Sequence, residues 1–149
     1  MSFEKETIKE KVGKTIGLLL KNDLFLLKNN SDELTISHRL AEYLQQEFPD
    51  WHVDTEYNRD KDQVKKLDEE IVRPDINVHV RNTDNNLLVI EVKKSNNLEY
   101  VDRDRIRLKK FTSPFGKYKY HLGLLVIFFV ANDHQKTPSL EYFEKERAK

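Results

Sequence analysis

The sequence predicts one mixed α/β domain, an α+β arrangement in which helices flank a central mixed sheet. Three observations indicate this class. Segments with helical spacing of apolar residues alternate along the chain with segments of strand-like alternation. Residues 122–130 form a nearly continuous apolar run rich in Val, Ile and Phe, as in a strand buried on both faces. About a third of the 149 residues are Ile, Leu, Val or Phe, which is enough for one core.

The start of the chain predicts two helices. Apolar residues recur at helical spacing over residues 4–27 and again over residues 32–47. The second helix has two candidate starts. Either Asn30 begins it, with Glu33 three residues on, or Ser31 is the cap.

The rest of the chain predicts a hairpin, a basic helix and a closing helix around the apolar strand. Residues 82–86 are rich in turn formers, so the strands on either side of them form a β-hairpin. The tail from Pro138 is predicted to be helical. The other elements are a strand over 51–58, a highly charged loop over 59–70, hairpin strands over 72–81 and 87–94, and a helix over 100–111.

The predicted hairpin determines which side chains share a face. If Arg81 lies opposite Leu87, the apolar residues of the two strands face each other, as one buried face requires. A shift by one residue would destroy this match. The apolar pairs are Ile76–Val92, Val78–Ile90 and Val80–Leu88.

The opposite face of the hairpin collects charged residues. In this register Asp75 pairs with Lys93 and Asn77 pairs with Glu91, so two carboxylates and a lysine converge. Asp75 lies diagonal to Glu91, within reach of a shared ion. This arrangement suits Mg²⁺, which takes oxygen ligands, and the Val92 carbonyl offers a further oxygen. Lys93 would orient or deprotonate an attacking water, or steady a phosphate oxygen.

The charged face contains a short motif, Pro74-Asp75 followed after fifteen residues by Glu91-Val92-Lys93. This motif resembles that of the PD-(D/E)XK, or restriction endonuclease-like, nuclease superfamily. The predicted order of helix, three meandering strands, helix and strand is similar to that family's core. The resemblance covers about residues 32–130 of a single domain, residues 1–149, and leaves an extra N-terminal helix and a C-terminal helical tail. Three stretches look closer to a group of small uncharacterised prokaryotic members: 33–40, 56–59 and 84–91.

The resemblance implies a restriction endonuclease-like core and a nuclease that hydrolyses phosphodiester bonds, with DNA as the expected substrate. It implies that Asp75 and Glu91 bind Mg²⁺ or Mn²⁺ and that Lys93 serves the catalytic water. Glu33 would add an acidic residue from the preceding helix. The side chains expected to contact nucleic acid are His38, Arg39, Lys94, Arg103, Arg107, Lys109 and Lys110.

Each candidate also has a purely structural interpretation. Asp75 and Lys93 would form an exposed cross-strand salt bridge in a protein without activity. Glu33 would complete a capping box and interact favourably with the helix dipole. Glu56 and Asn77 are candidates for positions behind the metal ligands, and a structural polar role is equally open. The five His residues show no zinc-binding spacing.

Charge is unevenly distributed, although 26 basic and 26 acidic residues give no net charge. Residues 93–119 contain nine Lys or Arg and three Asp or Glu, whereas residues 54–70 contain seven acids and four bases. The basic segment is interpreted as a phosphate-contacting surface, with a solvated helix face as the alternative. His38 is likewise a phosphate contact or an ordinary surface histidine.

Two further functional classes remain open. One is a non-catalytic nucleic-acid-binding or assembly module, and the other is a subunit that docks through residues 4–27, with homodimerisation as one form of docking. The longest apolar run is about half of a membrane span, and the N-terminus lacks a signal-peptide pattern. We therefore expect a cytoplasmic protein without membrane contact. The absence of Cys excludes disulfides and thiolate metal sites.

Overall fold

The computed structural model describes residues 3–144 and has a mixed α/β architecture, as predicted. A five-stranded sheet lies between helices on both faces. The helices are α1 (Lys5–Asn22), α2 (Leu24–Lys28), α3 (Glu33–Glu47) and α4 (Val101–Thr112), with a 3-10 turn at Ala131–Asp133. The strands are β1 (His52–Thr55), β2 (Arg59–Asp60), β3 (Gln63–Val64), β4 (Lys66–Leu67), β5 (Glu70–Ile71), β6 (Ile76–His79), β7 (Asn86–Lys94), β8 (Leu122–Phe128) and β9 (Ser139–Glu144).

The five-stranded sheet has the order β1-β6-β7-β8-β9. β1, β6 and β7 form an antiparallel meander, β7 and β8 are parallel, and β9 is antiparallel to β8. The connection from β7 to β8 runs through α4, because parallel neighbours need a long crossover. β8 is almost entirely buried, as its apolar sequence predicts. None of the described helices is long and apolar enough to cross a membrane.

Two apolar layers cover the two faces of the sheet. α1 and α3 pack on one face, and α4 packs on the other. Side chains alternate along a strand, so Leu88, Ile90 and Val92 of β7 belong to the first layer. Val89 belongs to the second layer, and Glu91 leaves the strand on that side. The charged face of the hairpin therefore faces α4.

The first predicted helix, residues 4–27, is two helices in the structure. α1 ends at Asn22, and the Asp23 amide donates to the Leu19 carbonyl at 2.8 Å before α2 begins. The Asp23 carboxylate accepts hydrogen bonds from Arg39 and Tyr43 of α3. This tertiary contact stabilises the break between α1 and α2. The spacing of apolar residues along the sequence does not predict the contact.

The start of α3 differs from both predicted starts. Asp32 is the N-cap, and its Oδ1 accepts the Thr35 amide at 2.8 Å. Neither Asn30 nor Ser31 has that role, so the predicted capping box is wrong. Glu33 becomes the first helical residue, and its side chain is available for contacts elsewhere.

The hairpin register differs from the predicted one by two residues. Ile76 lies opposite Ile90 and Val78 lies opposite Leu88, and an irregularity follows Val78. The hairpin also closes more tightly than expected, because the Val80 amide donates to the Asn85 carbonyl at 2.9 Å. A shift of two residues preserves side-chain parity, so the assignment of residues to the two faces is correct and the individual pairs are wrong.

Residues 59–70, predicted as a loop, belong to two short hairpins, β2–β3 and β4–β5. Lys65 connects them and is buried, with its Nζ 4.6 Å from the centre of the Tyr118 ring and 3.3 Å from the Tyr120 hydroxyl. Burial lowers the pKa of Lys65 to about 8. The buried Lys65 side chain holds the two hairpins, residues 59–71, against the rest of the domain.

The tail from Pro138 is a strand rather than the predicted helix. β9 pairs with β8, and Phe143 lies opposite Gly123. Phe143 is buried and Leu140 is exposed. The backbone N–H and C=O groups at the outer edge of β8 need hydrogen-bond partners. Pairing with β9 provides these partners, and this tertiary interaction outweighs local helical propensity. Residues 145–149 of the predicted helix lie outside the described residues.

Candidate functional site

The observed register brings the carboxyl groups of Asp75 and Glu91 together. Asp75 directly precedes β6, and Glu91 lies within β7. Asp75 Oδ2 accepts the Val92 amide at 2.7 Å, and the Asp75 and Glu91 carboxyl groups hydrogen-bond to each other. The predicted pairing of Asp75 with Lys93 is therefore wrong, because the two-residue shift brings Asp75 beside Glu91 instead.

Burial raises the pKa of both acids. Burial, with smaller contributions from the Glu33 and Asp104 charges, raises the pKa of Asp75 to about 6. Burial and then the Asp75 charge raise the pKa of Glu91 well above its usual range, with Arg107 acting in the opposite direction. The pair therefore resists carrying two negative charges at the same time.

Lys93 forms an ion pair with a residue that sequence reasoning missed. Its Nζ lies 3.1 Å from Asp104 Oδ2. Asp104 lies in the first turn of α4 and is only 7% exposed. Burial lowers the pKa of Lys93, but the interaction with Asp104 outweighs it and raises the pKa overall. No sequence signal singles out Asp104, because Asp102 lies in the same first turn and is exposed.

Glu33 reaches the same end of β7 from the other face of the sheet. Its Oε2 accepts the Lys94 amide at 3.0 Å and the Asn97 side-chain amide at 3.3 Å. Its charge contributes to the raised pKa of Asp75. The third acid of the predicted set thus lies close to the carboxyl pair, held by hydrogen bonds to the segment that follows β7.

Behind the carboxyl pair lies a buried polar layer. Asn77 is fully buried, and its Oδ1 accepts the Tyr120 hydroxyl at 2.8 Å, while its Nδ2 has no hydrogen-bond partner among residues 3–144. Within the same residues, the buried Nε of Arg107 in α4 also has no partner. Glu56 is exposed, immediately follows β1 and contacts Asp75 through its backbone, because its amide donates to the Asp75 carbonyl at 3.1 Å.

The side chains predicted to contact nucleic acid divide into two groups. His38 and Lys109 are exposed. The remaining five side chains have protein partners: Arg39 with Asp23, Glu42 and Tyr43; Lys94 with Asn30; Arg103 and Arg107 with Glu70; and Lys110 with Asp68.

The donor set fits a hard divalent cation. Asp75 and Glu91 offer adjacent carboxyl oxygens, and Mg²⁺ is commonly held by one or two carboxylates with waters and substrate phosphate. Within residues 3–144 no group of three or more His, Asp or Glu side chains has an arrangement that would hold an ion by itself.

Comparison with protein-family models, curated proteins and solved structures finds no match to this chain.

Proposed function

We propose that this protein is a Mg²⁺- or Mn²⁺-dependent nuclease that hydrolyses phosphodiester bonds in DNA. The observation that carries the proposal is the interaction between the carboxyl groups of the half-buried Asp75 and the buried Glu91, with the Lys93 ammonium on the same face of the sheet. The succession α3, β1, β6, β7, α4, β8 also agrees with the restriction endonuclease-like core that the motif resembles.

Asp75 and Glu91 are the residues that would hold the metal. Strand residues direct their N–H and C=O groups toward the same neighbour, so the Val92 carbonyl faces the side on which Val92 donates to Asp75. A bound Mg²⁺ or Mn²⁺ supplies Lewis-acid polarisation of the phosphate and a more acidic water. Glu33 fixes the backbone of the adjacent Lys94 and so positions this end of β7.

Lys93 acts as a cation in this proposal. Its ion pair with Asp104 keeps the ammonium protonated at neutral pH, so it neutralises a phosphate oxygen or orients a water rather than accepting a proton. Because phosphoryl transfer depends mostly on positioning and charge neutralisation, a fixed cation is sufficient for this role.

A non-catalytic nucleic-acid-binding module is the second candidate. The observation that favours it is the engagement of Lys93 by Asp104, which occupies the ammonium that a nuclease would offer to its substrate. This candidate predicts salt-sensitive DNA binding that is independent of Lys93 and of divalent metal.

Calorimetric titration with Mg²⁺ and Mn²⁺ tests the carboxyl pair first. We expect binding by the wild type that is lost in Asp75→Asn/Glu91→Gln, with Glu99→Gln as the matched control because Glu99 is exposed. If metal binds only when a short DNA duplex is present, the titration is repeated with DNA and with the double variant. Equal metal binding by wild type and double variant would contradict the proposed site.

Cleavage assays then separate the two candidate functions. Metal-dependent cleavage of DNA by the wild type, reduced by about 100-fold or more in Lys93→Ala, supports the nuclease. Lys119→Ala is the control for loss of one positive charge. DNA binding without cleavage, unchanged in Lys93→Ala, supports the binding module instead.

A further inference from the structure

The β4–β5 hairpin directs acidic side chains at the basic helix α4. Glu70 Oε1 accepts hydrogen bonds from both Arg103 and Arg107, the latter at 2.5 Å. Asp68 Oδ2 accepts from Lys110, also at 2.5 Å. The two carboxylates of one short hairpin thus engage three cations of one helix.

The three cations form a single row. Positions 103, 107 and 110 have the spacing i, i+4, i+7, which places them on one face of a helix, over about 10 Å at the usual rise. Glu70 holds two guanidinium groups through one oxygen, and guanidinium groups bind phosphate oxygens as well as carboxylates. The hydrogen bonds from Arg103 and Arg107 lower the pKa of Glu70, so it is ionised in this contact.

One cation of this row connects the hairpin with the carboxyl pair. Arg107 donates to Glu70 through Nη2, has a buried Nε without a hydrogen-bond partner, and influences the pKa of Glu91. The middle member of the row therefore acts on the candidate metal site, whereas Arg103 and Lys110 lie at the surface.

We propose that the α4 row of Arg103, Arg107 and Lys110 is a binding surface for the phosphodiester backbone of DNA, and that Asp68 and Glu70 of the β4–β5 hairpin occupy it in the free protein. The carboxylates stand where phosphates would bind, and a DNA strand displaces them. This inference rests on the proposed function for the identity of the partner, and it adds a competitor within the chain itself. Exposed ion pairs of this type are weak, so displacement by a polyanion is energetically accessible.

The test compares DNA affinity among charge variants in the presence of a chelator, so that cleavage does not interfere. The probe is a short fluorescein-labelled DNA duplex, measured by anisotropy. We expect Asp68→Asn/Glu70→Gln to bind about ten-fold more tightly than the wild type and with a steeper salt dependence, because three cations become available to phosphate. Adding Arg103→Ala and Lys110→Ala to this variant should remove the gain.

The matched control neutralises two acids of residues 59–71 that form no ion pair with α4 within the described residues. Asp62 and Glu69 are exposed, and neither takes part in an ion pair among residues 3–144. Asp62→Asn/Glu69→Gln changes the net charge by the same amount, so general electrostatics predicts the same gain for both double variants. Equal affinity of the two double variants would overturn the proposal.

A crosslink provides a second measurement within one protein. The chain has no Cys, so Asp68→Cys/Lys110→Cys introduces the only two thiols. A short bismaleimide joins the hairpin to α4. We expect DNA affinity to fall at least ten-fold on crosslinking, and unchanged affinity would overturn the proposal.

Failure of the nuclease proposal is distinguishable from failure of this inference. The affinity ranking is measured without metal and does not depend on Asp75 or Glu91. Absence of metal-dependent cleavage would contradict the nuclease and leave the ranking intact, whereas absence of the affinity gain would contradict the hairpin's role and leave cleavage intact.

Discussion

At the scale of single residues, the chemistry of the site lies in two carboxyl groups that the fold forces together. The sequence was sufficient to place Asp75, Glu91 and Lys93 on one face, because alternation along a strand determines the face of the sheet on which each side chain lies. It was not sufficient to determine which of them touch, since the irregularity after Val78 shifts the pairs by two residues. Asp104 was missed because its partner comes from a different element.

Glu91→Gln is expected to stabilise the protein at neutral and alkaline pH. The folded protein retains protons on Asp75 and Glu91 that the unfolded chain releases above about pH 4, so the free energy of unfolding falls as pH rises through the raised pKa values. Removing one of the two charges should therefore stabilise the protein more at pH 8 than at pH 5. Urea unfolding at both pH values measures the difference.

Two comparisons make this prediction specific. Glu99→Gln, at an exposed position, should change stability little at either pH. Saturating Mg²⁺ should reduce the advantage of Glu91→Gln, because a bound cation stabilises the ionised pair of the wild type. A variant less stable than the wild type at pH 8 would show that the pair is not under charge repulsion.

At the scale of secondary-structure elements, long apolar patterns predicted the type of element correctly, whereas short patterns did not. The apolar run that forms β8 and the helical spacing of α3 were sufficient to predict a strand and a helix, respectively. The tail from Pro138 was too short for its pattern to separate helix from strand, and pairing with the free edge of β8 determined the outcome. The two small hairpins of residues 59–71 depend on the burial of Lys65, which a charged sequence does not suggest.

The strand assignment of β9 makes a prediction for two of its apolar residues. Phe143→Ala should cost about 2–3 kcal/mol, because the ring is buried between α4 and the sheet. Leu140→Ala, at an exposed position of the same strand, should cost less than about 0.5 kcal/mol. Denaturant unfolding of both variants provides the test, and similar costs would contradict the observed side-chain alternation.

At the scale of the whole molecule, the N-terminal helix belongs to the domain core. Sequence analysis left open whether residues 4–27 dock onto another protein. In the structure Ile8, Val12 and Leu19 of α1 are buried in the same layer as α3 and the sheet. The apolar face that suggested a docking helix is therefore used within the chain, which helical spacing alone was unable to decide.

Removal of residues 1–22 should therefore abolish cooperative unfolding. The deletion exposes the α3 side of the core, including Leu40 and Leu44, and removes several fully buried side chains at once. Thermal unfolding followed by circular dichroism measures the result. A shortened chain with a cooperative transition at the original temperature would identify α1 as an appendage.

The parallel pairing of β7 with β8 has a consequence for how the chain reaches its native state. The β6–β7 hairpin closes over a short loop, whereas β8 must wait until α4 and the residues after it have formed a crossover. Until β8 docks, its seven mostly apolar residues remain unpaired. They have high β-propensity and no charge, which is the composition of an aggregation-prone segment. We therefore expect refolding yield to fall as protein concentration rises, with the loss set by the lifetime of an intermediate in which β8 is still unpaired.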